Sequence, residues 1–440
     1  VESLTLLETD MSPAGLAGGQ SLATIGNQRW ISILCKFSDV PAEPNPLSYF
    51  QNMYSSTRPG LDHYWRELSY NRVNLQGSTA VGWFTLPQPR SYYITDDLRL
   101  TEFANDCLAA ADPFVFFPEY QGINLMLNDG SNIAARGGWR YLNLDGQQRR
   151  YGITWLPPWA FQNIGVVAHE MGHAFGLLHS SGPYNRTYDS DWDVMSGPSG
   201  GCTSRDPVYG CVGQHTIAFH KSDQLGWIPP ASVYQVSPSS RAVITLTNIA
   251  MPAPGHYVMI RLPQGSPSRF KTIEARLRIG YDVALPDDAV IIHDVDTTRR
   301  DRLAQVVDID NNGDPNDAGA MWTVGEAFYD LFNRVVITVA ARIPHGFVLH
   351  IGPMISPYRL FLPSVRAGSV TPPPPAPDAY EPDSSCWPDR LIFHGQTQVR
   401  SIYPENDWDC AKFVLEQPSA VIIETSGLRP AEEDTIMWLD

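Results

Sequence analysis

Two patterns of hydrophobic spacing divide the chain. Up to about residue 228, short apolar runs alternate with segments whose apolar residues recur at helical spacing. Residues 29–37 (RWISILCKF) and 123–127 (INLML) are apolar and partly β-branched, which indicates strands. Residues 139–156 indicate a hairpin that turns at Asp145 and Gly146. The helices that we predict cover residues 47–56, 61–69, 101–111 and 163–178, with strand and turn at 73–86.

From residue 229 the pattern changes to β-branched runs separated by turn residues, which is typical of an antiparallel β-sandwich. Its predicted strands are 242–247, 257–262, 272–277, 289–295, 334–340 and 347–351. The run TPPPPAP at 371–377 removes backbone donors and favours an extended spacer, which indicates a linker. The strands predicted beyond it, at 390–393, 411–415 and 420–425, make up only part of a second sandwich.

These patterns predict an α+β protein with several domains. A chain of 440 residues exceeds the roughly 250–300 residues at which a single hydrophobic core stops growing. We therefore divide it into an α+β domain, a β-sandwich, a proline-rich linker and an incomplete β domain, at residues 1–228, 229–362, 363–379 and 380–440. No apolar run reaches the ~20 residues that a membrane span needs, so we expect a soluble protein.

The charge balance excludes some partners. The formal net charge is −16 and the isoelectric point is about 5.0, with only four lysines in the chain. Nucleic acids and anionic membranes bind basic surfaces, so neither is an expected partner. We interpret the acidity as serving solubility and calcium binding, which is a simpler explanation than an acidic tail with its own function.

The six cysteines indicate an oxidising compartment. Proximity in sequence suggests the pairs Cys202 with Cys211 and Cys386 with Cys410. Cys35 and Cys107 remain, and a bridge between them would join a predicted strand to a predicted helix, which only a distance can establish. Because the chain also begins at Val1 rather than Met, we expect a processed, secreted, extracellular protein.

The segment AHEMGHAFGLLHSSG, residues 168–182, concentrates side chains that can bind a metal ion. His169 and His173 are four residues apart, so a helix places both on one face. Glu170 falls between them, close enough to reach a metal-bound water without being a ligand. Gly176 lets the chain leave the helix, which returns His179 as a third ligand.

Three neutral imidazoles with a fourth position open are typical of a catalytic zinc site. Such an ion lowers the pKa of its bound water to about 7. Glu170 would accept the proton of that water and then donate it to the amine that leaves the cleaved peptide bond. The residues themselves therefore predict a zinc endopeptidase with Glu170 as its general base and acid.

The pattern H-E-x-x-H-x-x-G-x-x-H resembles the signature of the metzincin zinc metalloproteases. Metzincins place a methionine turn after the third histidine, and Met195 in DVMS, sixteen residues after His179, matches it. Gly197 stands where astacins and serralysins have a tyrosine ligand, so those two branches are disfavoured.

The wider resemblance is to the gametolysin-like and immune-inhibitor-A-like secreted metalloproteases, and it covers most of residues 28–228. It rests on WISILCKFSD, LDHYWRELSYNRVNLQG, the metal-binding helix, DWDVMS and HKSDQLGWI. It implies a twisted five-stranded sheet above the active-site helix and an edge strand that pairs with extended substrate. The sandwich resembles the domain that follows in the immune-inhibitor-like group, and the chain from Tyr380 resembles the start of a bacterial pre-peptidase C-terminal domain.

A second candidate site lies in DIDNNGD at residues 308–314, where oxygen side chains alternate around a glycine bend, as in calcium loops. No glutamate occupies the twelfth position of an EF-hand, so we predict a different calcium site. Its candidate ligands are Asp308, Asp310, Asn312, Asp314 and Asp317. A solvated polar turn is the alternative.

Two other functions stay open. A matrixin-like protease would share the local motif, and the fold after residue 229 would distinguish it. A surface-adhesion or binding protein would use the metalloprotease unit as a scaffold, although an intact Glu170 favours an enzyme. The expected cofactors are Zn²⁺ and Ca²⁺, the expected partners are protein or peptide substrates, and a monomer is favoured.

Overall fold

A computed structural model describes residues 24–130, 132–198, 200–238 and 240–354. All of these residues lie in one compact unit. The architecture is mixed, with several sheets and few helices, which agrees with the predicted α+β class. The predicted linker, the domain at 380–440 and the pair Cys386 with Cys410 lie outside the described residues.

The elements before residue 212 include five strands of one sheet and the helices that cover it. In chain order they are β1 (Gly26–Asn27), β2 (Trp30–Lys36), α1 (Leu47–Asn52), α2 (Leu61–Leu68), β3 (Val73–Asn74), β4 (Thr79–Thr85), α3 (Arg90–Tyr93), α4 (Leu100–Ala111), β5 (Gly122–Leu127), β6 (Arg136–Leu144), β7 (Gln147–Leu156), α5 (Pro158–Phe161), α6 (Ile164–Ala174), β8 (Ser180–Ser181), β9 (Arg205–Asp206) and β10 (Gly210–Cys211).

The five-stranded sheet has the order β4-β2-β5-β7-β6, and only β6 runs antiparallel to its neighbour. Side chains of β2 alternate between its two faces, as the strand period requires. Trp30 and Leu34 pack with α1, α2 and α6, whereas Ile31 and Ile33 pack with α4. Because both faces are covered, the central parallel strands β2 and β5 are buried almost throughout, which explains their continuous apolar sequences.

The predicted hairpin is present as β6 and β7. Asp145 and Gly146 both have positive φ, +50° and +71°, as a two-residue hairpin turn of this type requires. Only β7 pairs with β6, so the other edge of β6 is unpaired within the described part of the sheet.

Two predicted helices are too long. The helix predicted at 163–178 ends at Ala174, and the helix predicted at 47–56 ends at Asn52. Gly176 has φ +98°, and the Leu177 N–H donates to the Gly172 carbonyl at 3.0 Å, which closes the helix by a left-handed C-cap. The apolar spacing continues past this cap because Leu177 still packs in the core.

The remaining elements form two facing sheets. In chain order they are a π-helix (His220–Gln224), β11 (Val233–Gln235), β12 (Ala242–Thr247), β13 (Met259–Ser266), β14 (Arg269–Arg276), β15 (Ala289–Asp296), β16 (Ala304–Val306), β17 (Ala327–Asp330), β18 (Val335–Ile343) and β19 (Gly346–Pro353). Short 3₁₀ turns occur at Asp112–Phe114, Phe117–Glu119, Gly200–Cys202, Pro230–Ser232, Gly280–Ala284 and Ala318–Ala320.

These strands build a β-sandwich. One sheet has the order β11-β13-β14-β15-β16-β8 and the other β12-β19-β18-β17. Apolar side chains of both sheets share one hydrophobic cluster, so the sheets pack face to face. We predicted an antiparallel sandwich, and this is only partly right. The two edge strands of the six-stranded sheet, β11 and β8, pair in parallel with their neighbours.

Strand β8 connects the two parts of the molecule. It lies just after the predicted metal ligands, yet Ser180 and Ser181 pair with Ala304 and Gln305 of β16. The domain boundary that we predict at 228/229 stays a prediction. The pairing of β8 with β16 joins residues from the two sides of that boundary.

Both disulfides that the described residues can form are present. Cys35 pairs with Cys107, Cα atoms 5.9 Å apart, and joins β2 to α4; Cys202 pairs with Cys211, Cα atoms 5.2 Å apart. These two predicted pairs are confirmed and fit an oxidising compartment. Within the described ranges, no helix is both long enough and apolar enough to span a bilayer.

Candidate metal centre

Helix α6 brings His169 and His173 together. Their rings are one helical turn apart, with centroids 4.7 Å from each other. Nδ1 of His169 lies 2.7 Å from the Val194 carbonyl oxygen, and Nδ1 of His173 lies 2.8 Å from the Leu177 carbonyl oxygen. A carbonyl oxygen can only accept, so each Nδ1 carries the proton.

The two Nε2 atoms then face each other as lone pairs. They are 3.1 Å apart. Burial lowers the pKa of His169 to about 4, and burial followed by the other two imidazoles lowers the pKa of His173 well below its usual value. Both rings are therefore neutral at neutral pH, and no proton lies between the two nitrogens. Two lone pairs this close repel each other unless they share a cation.

His179 arrives from the loop that follows the Gly176 turn. Its ring centroid lies 4.7 Å from that of His173 and 5.4 Å from that of His169. Among the residues that the structure describes, its buried Nε2 has no hydrogen-bond partner, while its Nδ1 lies 3.2 and 3.3 Å from the two carboxylate oxygens of Asp301. That hydrogen bond lowers the pKa of the Asp301 carboxyl. Because an ionised carboxylate can only accept, the proton lies on His179 Nδ1.

The three histidines satisfy the donor requirements of a zinc site. One ring nitrogen from each lies within 4.8 Å of the others. Each of the three rings offers one imidazole nitrogen, and its other nitrogen faces an oxygen acceptor, which is the usual support of a metal-binding histidine. The residues present therefore fit a zinc ion.

Glu170 lies beside these ligands on the same helix and is buried. Burial raises the pKa of the Glu170 carboxyl to about 8, and the nearby Arg136 guanidinium partly opposes this effect. Edge strand β6 crosses α6 at this residue, since an added Cβ at Gly137 would lie 2.1 Å from the Glu170 carbonyl oxygen. The free edge of the sheet therefore begins next to the acid.

Met195 lies against α6 between the two helical ligands. An added Cβ at Gly172 would come within 2.5 Å of the Met195 sulfur, and Met195 is fully buried. The Met195 N–H donates to Asp193 at 3.0 Å, while the preceding Val194 carbonyl holds His169. Met195 therefore packs against α6 beside the two histidines, and its role as the methionine turn stays a prediction.

Tyr188 is a neighbour that sequence reasoning missed. Its ring centroid lies 5.9 Å from that of His169 and 5.4 Å from that of His179, and the residue is 57% exposed. Burial raises the pKa of its phenol, and the Glu170 and Asp301 carboxylates raise it further. A tyrosine thus reaches the histidines from a position before Met195, whereas the position two residues after Met195 is Gly197.

The acidic loop brings together only part of the predicted calcium set. Asp308, Asp310 and Asp317 each place one oxygen within 4.8 Å of the others. Asn312 instead donates its side-chain N–H groups to Asp310 and Asp317, at 3.0 and 2.5 Å. Asp314 accepts from the Asn316 backbone at 3.0 Å and is not part of this group. The calcium site stays a prediction.

Two further residues near the metal group were not predicted as functional. Arg136 lies at the start of β6, and Asp301 lies 122 residues from His179 in sequence. Neither has a local sequence pattern that could have identified it, because each reaches the site through long-range folding.

Comparison with known proteins adds no assignment. No protein-family model matches the chain, and no curated protein matches it.

Proposed function

We propose that this protein is a zinc-dependent endopeptidase of the metzincin type, with His169, His173 and His179 as ligands and Glu170 as general base and acid. The observation that carries the proposal is the pair of neutral Nε2 lone pairs 3.1 Å apart, beside a third buried and unpartnered Nε2. Tetrahedral nitrogen sites with one open position favour zinc over harder ions.

A zinc ion held there would polarise the carbonyl of the scissile peptide bond and lower the pKa of a bound water. Glu170 accepts the proton of the attacking water and later donates it to the departing amine. Burial raises the pKa of the Glu170 carboxyl to about 8, and a zinc ion beside it would lower that pKa again. One side chain can therefore both accept and donate near neutral pH.

The proposed substrate is an extended polypeptide. One edge of β6 has no partner among the described strands, and the first residues of β6 lie against α6 beside Glu170. Backbone groups of a peptide can add to such an edge as a further strand, which aligns a peptide bond with the neighbouring acid. This recognition uses main-chain atoms and therefore suits protein substrates of varied sequence.

The sheet supports the metzincin assignment. It has five strands with a single antiparallel edge strand, above a helix that carries two ligands, and Met195 lies below them. The two disulfides support secretion. The β-sandwich joined through β8 favours the immune-inhibitor-like arrangement over a matrixin-like one.

Casein hydrolysis and zinc content of the wild type and Glu170→Gln test the proposal. We expect the variant to keep its zinc and to lose about 10²–10⁴-fold in activity, the usual contribution of acid–base catalysis. Glu119→Gln is the control, because Glu119 is an exposed partner of Arg29. Equal activity in wild type and Glu170→Gln, or a zinc-loaded wild type that cleaves nothing, would contradict the proposal. The second outcome would favour a binding protein.

A further inference from the structure

The third ligand lacks the support that the other two have. His169 and His173 are fixed by the backbone of α6, but His179 lies in a loop beyond the helix end and its side chain is 22% exposed. Gly176, which precedes it, has a left-handed backbone with no atom near the position of a Cβ. An element outside the helix must therefore orient the His179 ring.

That element is the segment between β15 and β16. His179 directly precedes β8, and Asp301 precedes β16 by three residues. Since β8 and β16 pair in parallel, with Ser180 opposite Ala304, the two residues enter the strand pair from the same end. Both carboxylate oxygens of Asp301 then lie within hydrogen-bonding range of His179 Nδ1, at 3.2 and 3.3 Å.

The same segment also holds the chain that follows β8. Arg302 donates to the Asn185 side chain at 2.8 Å and to the Arg186 carbonyl at 3.3 Å. The loop between β15 and β16 is therefore attached on both sides of β8, so that its position is fixed relative to His179.

We propose that Asp301 is a positioning residue for the metal centre: it accepts the Nδ1 proton of His179 and so directs the Nε2 lone pair of that ring at the ion. The inference rests on the proposed zinc function. It makes the zinc site dependent on the β-sandwich, because the acceptor for the third ligand comes from there. The other two ligands have neutral carbonyl acceptors, so His179 is the one whose basicity a carboxylate increases.

Zinc affinity of the full chain, measured by competition with a chromophoric chelator, tests this role. We expect Asp301→Ala to bind zinc about 10–100-fold more weakly, as is usual when the acceptor behind a ligand is lost. Asp301→Asn keeps a carbonyl acceptor without the charge, so its loss should be smaller. Absorption of the cobalt-substituted protein should also change in Asp301→Ala, since the geometry of the ligand set changes.

Asp287→Asn is the matched control, because Asp287 is an exposed acid of the same sandwich whose ion-pair partner is Arg278. Zinc affinity and a cobalt spectrum of Asp301→Ala equal to those of the wild type would overturn the inference and leave the proposed function intact. A wild type that binds no zinc would overturn both. If thermal melting shows that Asp301→Ala does not fold, the near-isosteric variant Asp301→Asn serves as the test instead. A zinc affinity of Asp301→Asn equal to that of the wild type would then overturn the inference.

Discussion

At the scale of single residues, Asp193 connects the supports of the metal centre. It is fully buried and accepts from the Ser180 hydroxyl at 2.7 Å and from the Met195 N–H at 3.0 Å, and it pairs with His220 at 3.2 Å. Burial alone would raise the pKa of Asp193. The His220 imidazole and these hydrogen bonds outweigh that effect and hold the pKa below its usual range.

This pKa predicts how stability depends on pH. Because the carboxyl has a lower pKa in the folded than in the unfolded chain, the ionised form stabilises the fold above pH about 4, and the contribution is lost as the pH falls below that value. We expect Asp193→Asn to lower the free energy of unfolding by about 3 kcal/mol at pH 7, the scale for breaking a buried pair. The difference from wild type should shrink in more acidic solution.

Urea denaturation of both proteins across this pH range measures the effect, with Asp287→Asn as a surface control. A difference that stays constant down to pH 3 would show that the Asp193 carboxylate is not what stabilises the wild type.

The sequence predicted the three histidines that the fold brings together but not the acceptors behind their rings. Helical periodicity alone places His169 and His173 on one face, and the following glycine predicts the return of His179. The acceptors of their Nδ1 protons are two backbone carbonyls, which have no sequence signature, and Asp301, which is far away in sequence. Tyr188 was missed because its approach depends on the conformation of the loop after β8.

At the scale of elements, the end of α6 determines whether the ligand set is complete. The turn at Gly176 has φ +98°, a conformation that disfavours residues with a Cβ. Gly146, in the hairpin between β6 and β7, has φ +71°. A Cβ at either position meets nothing within 4 Å, so a substitution at each tests backbone conformation alone.

We expect Gly176→Ala and Gly146→Ala to lose about 1–2 kcal/mol of stability each, from left-handed backbone strain. Only Gly176→Ala should weaken zinc binding, because only that turn carries a ligand. Denaturation and chelator competition on the two variants measure both quantities. Equal zinc affinity in the two variants would mean that the turn does not position His179.

The longer elements followed from periodicity, and the short ones did not. Strands β2, β5, β6 and β7 and helix α4 occur within a few residues of their predicted positions. The two-residue β8 and three-residue β16 are too short to show an alternating pattern, yet their pairing joins the sandwich to the metal site. We predicted the end of α6 four residues too late, because the apolar spacing of the sequence continues through the C-cap of the helix.

At the scale of the whole molecule, a buried ionic network joins the sandwich to the helical part. Arg276 of β14 is fully buried and donates to Asp282 at 2.8 and 3.0 Å and to Glu274 at 2.9 Å. It also donates to the Trp192 carbonyl, three residues before Met195. Asp282 in turn accepts from the His215 backbone at 2.9 Å.

Replacing Arg276 would leave the buried carboxylates of Glu274 and Asp282 without the cation that pairs with both. We expect Arg276→Ala to lower the free energy of unfolding by about 3–5 kcal/mol. Arg278→Ala is the control, because the Arg278 side chain pairs with Asp287 at an exposed position and its loss should cost less than about 1 kcal/mol. Denaturation midpoints of the two variants compare these costs, and similar losses would contradict the structural role of the network.

The overall class was predictable, but the connection between its parts was not. The change of pattern at residue 229 predicted a sandwich, and the structure contains one. The pairing of β8 with β16, and the contacts of Arg276 with the Trp192 and His215 carbonyls, join residues more than 60 positions apart, for which a single sequence has no signal. These contacts place the three histidines at the junction of the two parts.

The most direct test of the central claim is diffraction from crystals of the wild-type protein at the zinc absorption edge. The account predicts one anomalous peak per chain, about 2.0–2.1 Å from the Nε2 atoms of His169, His173 and His179. Rings that point apart, with no transition metal in zinc-supplemented crystals, would contradict it.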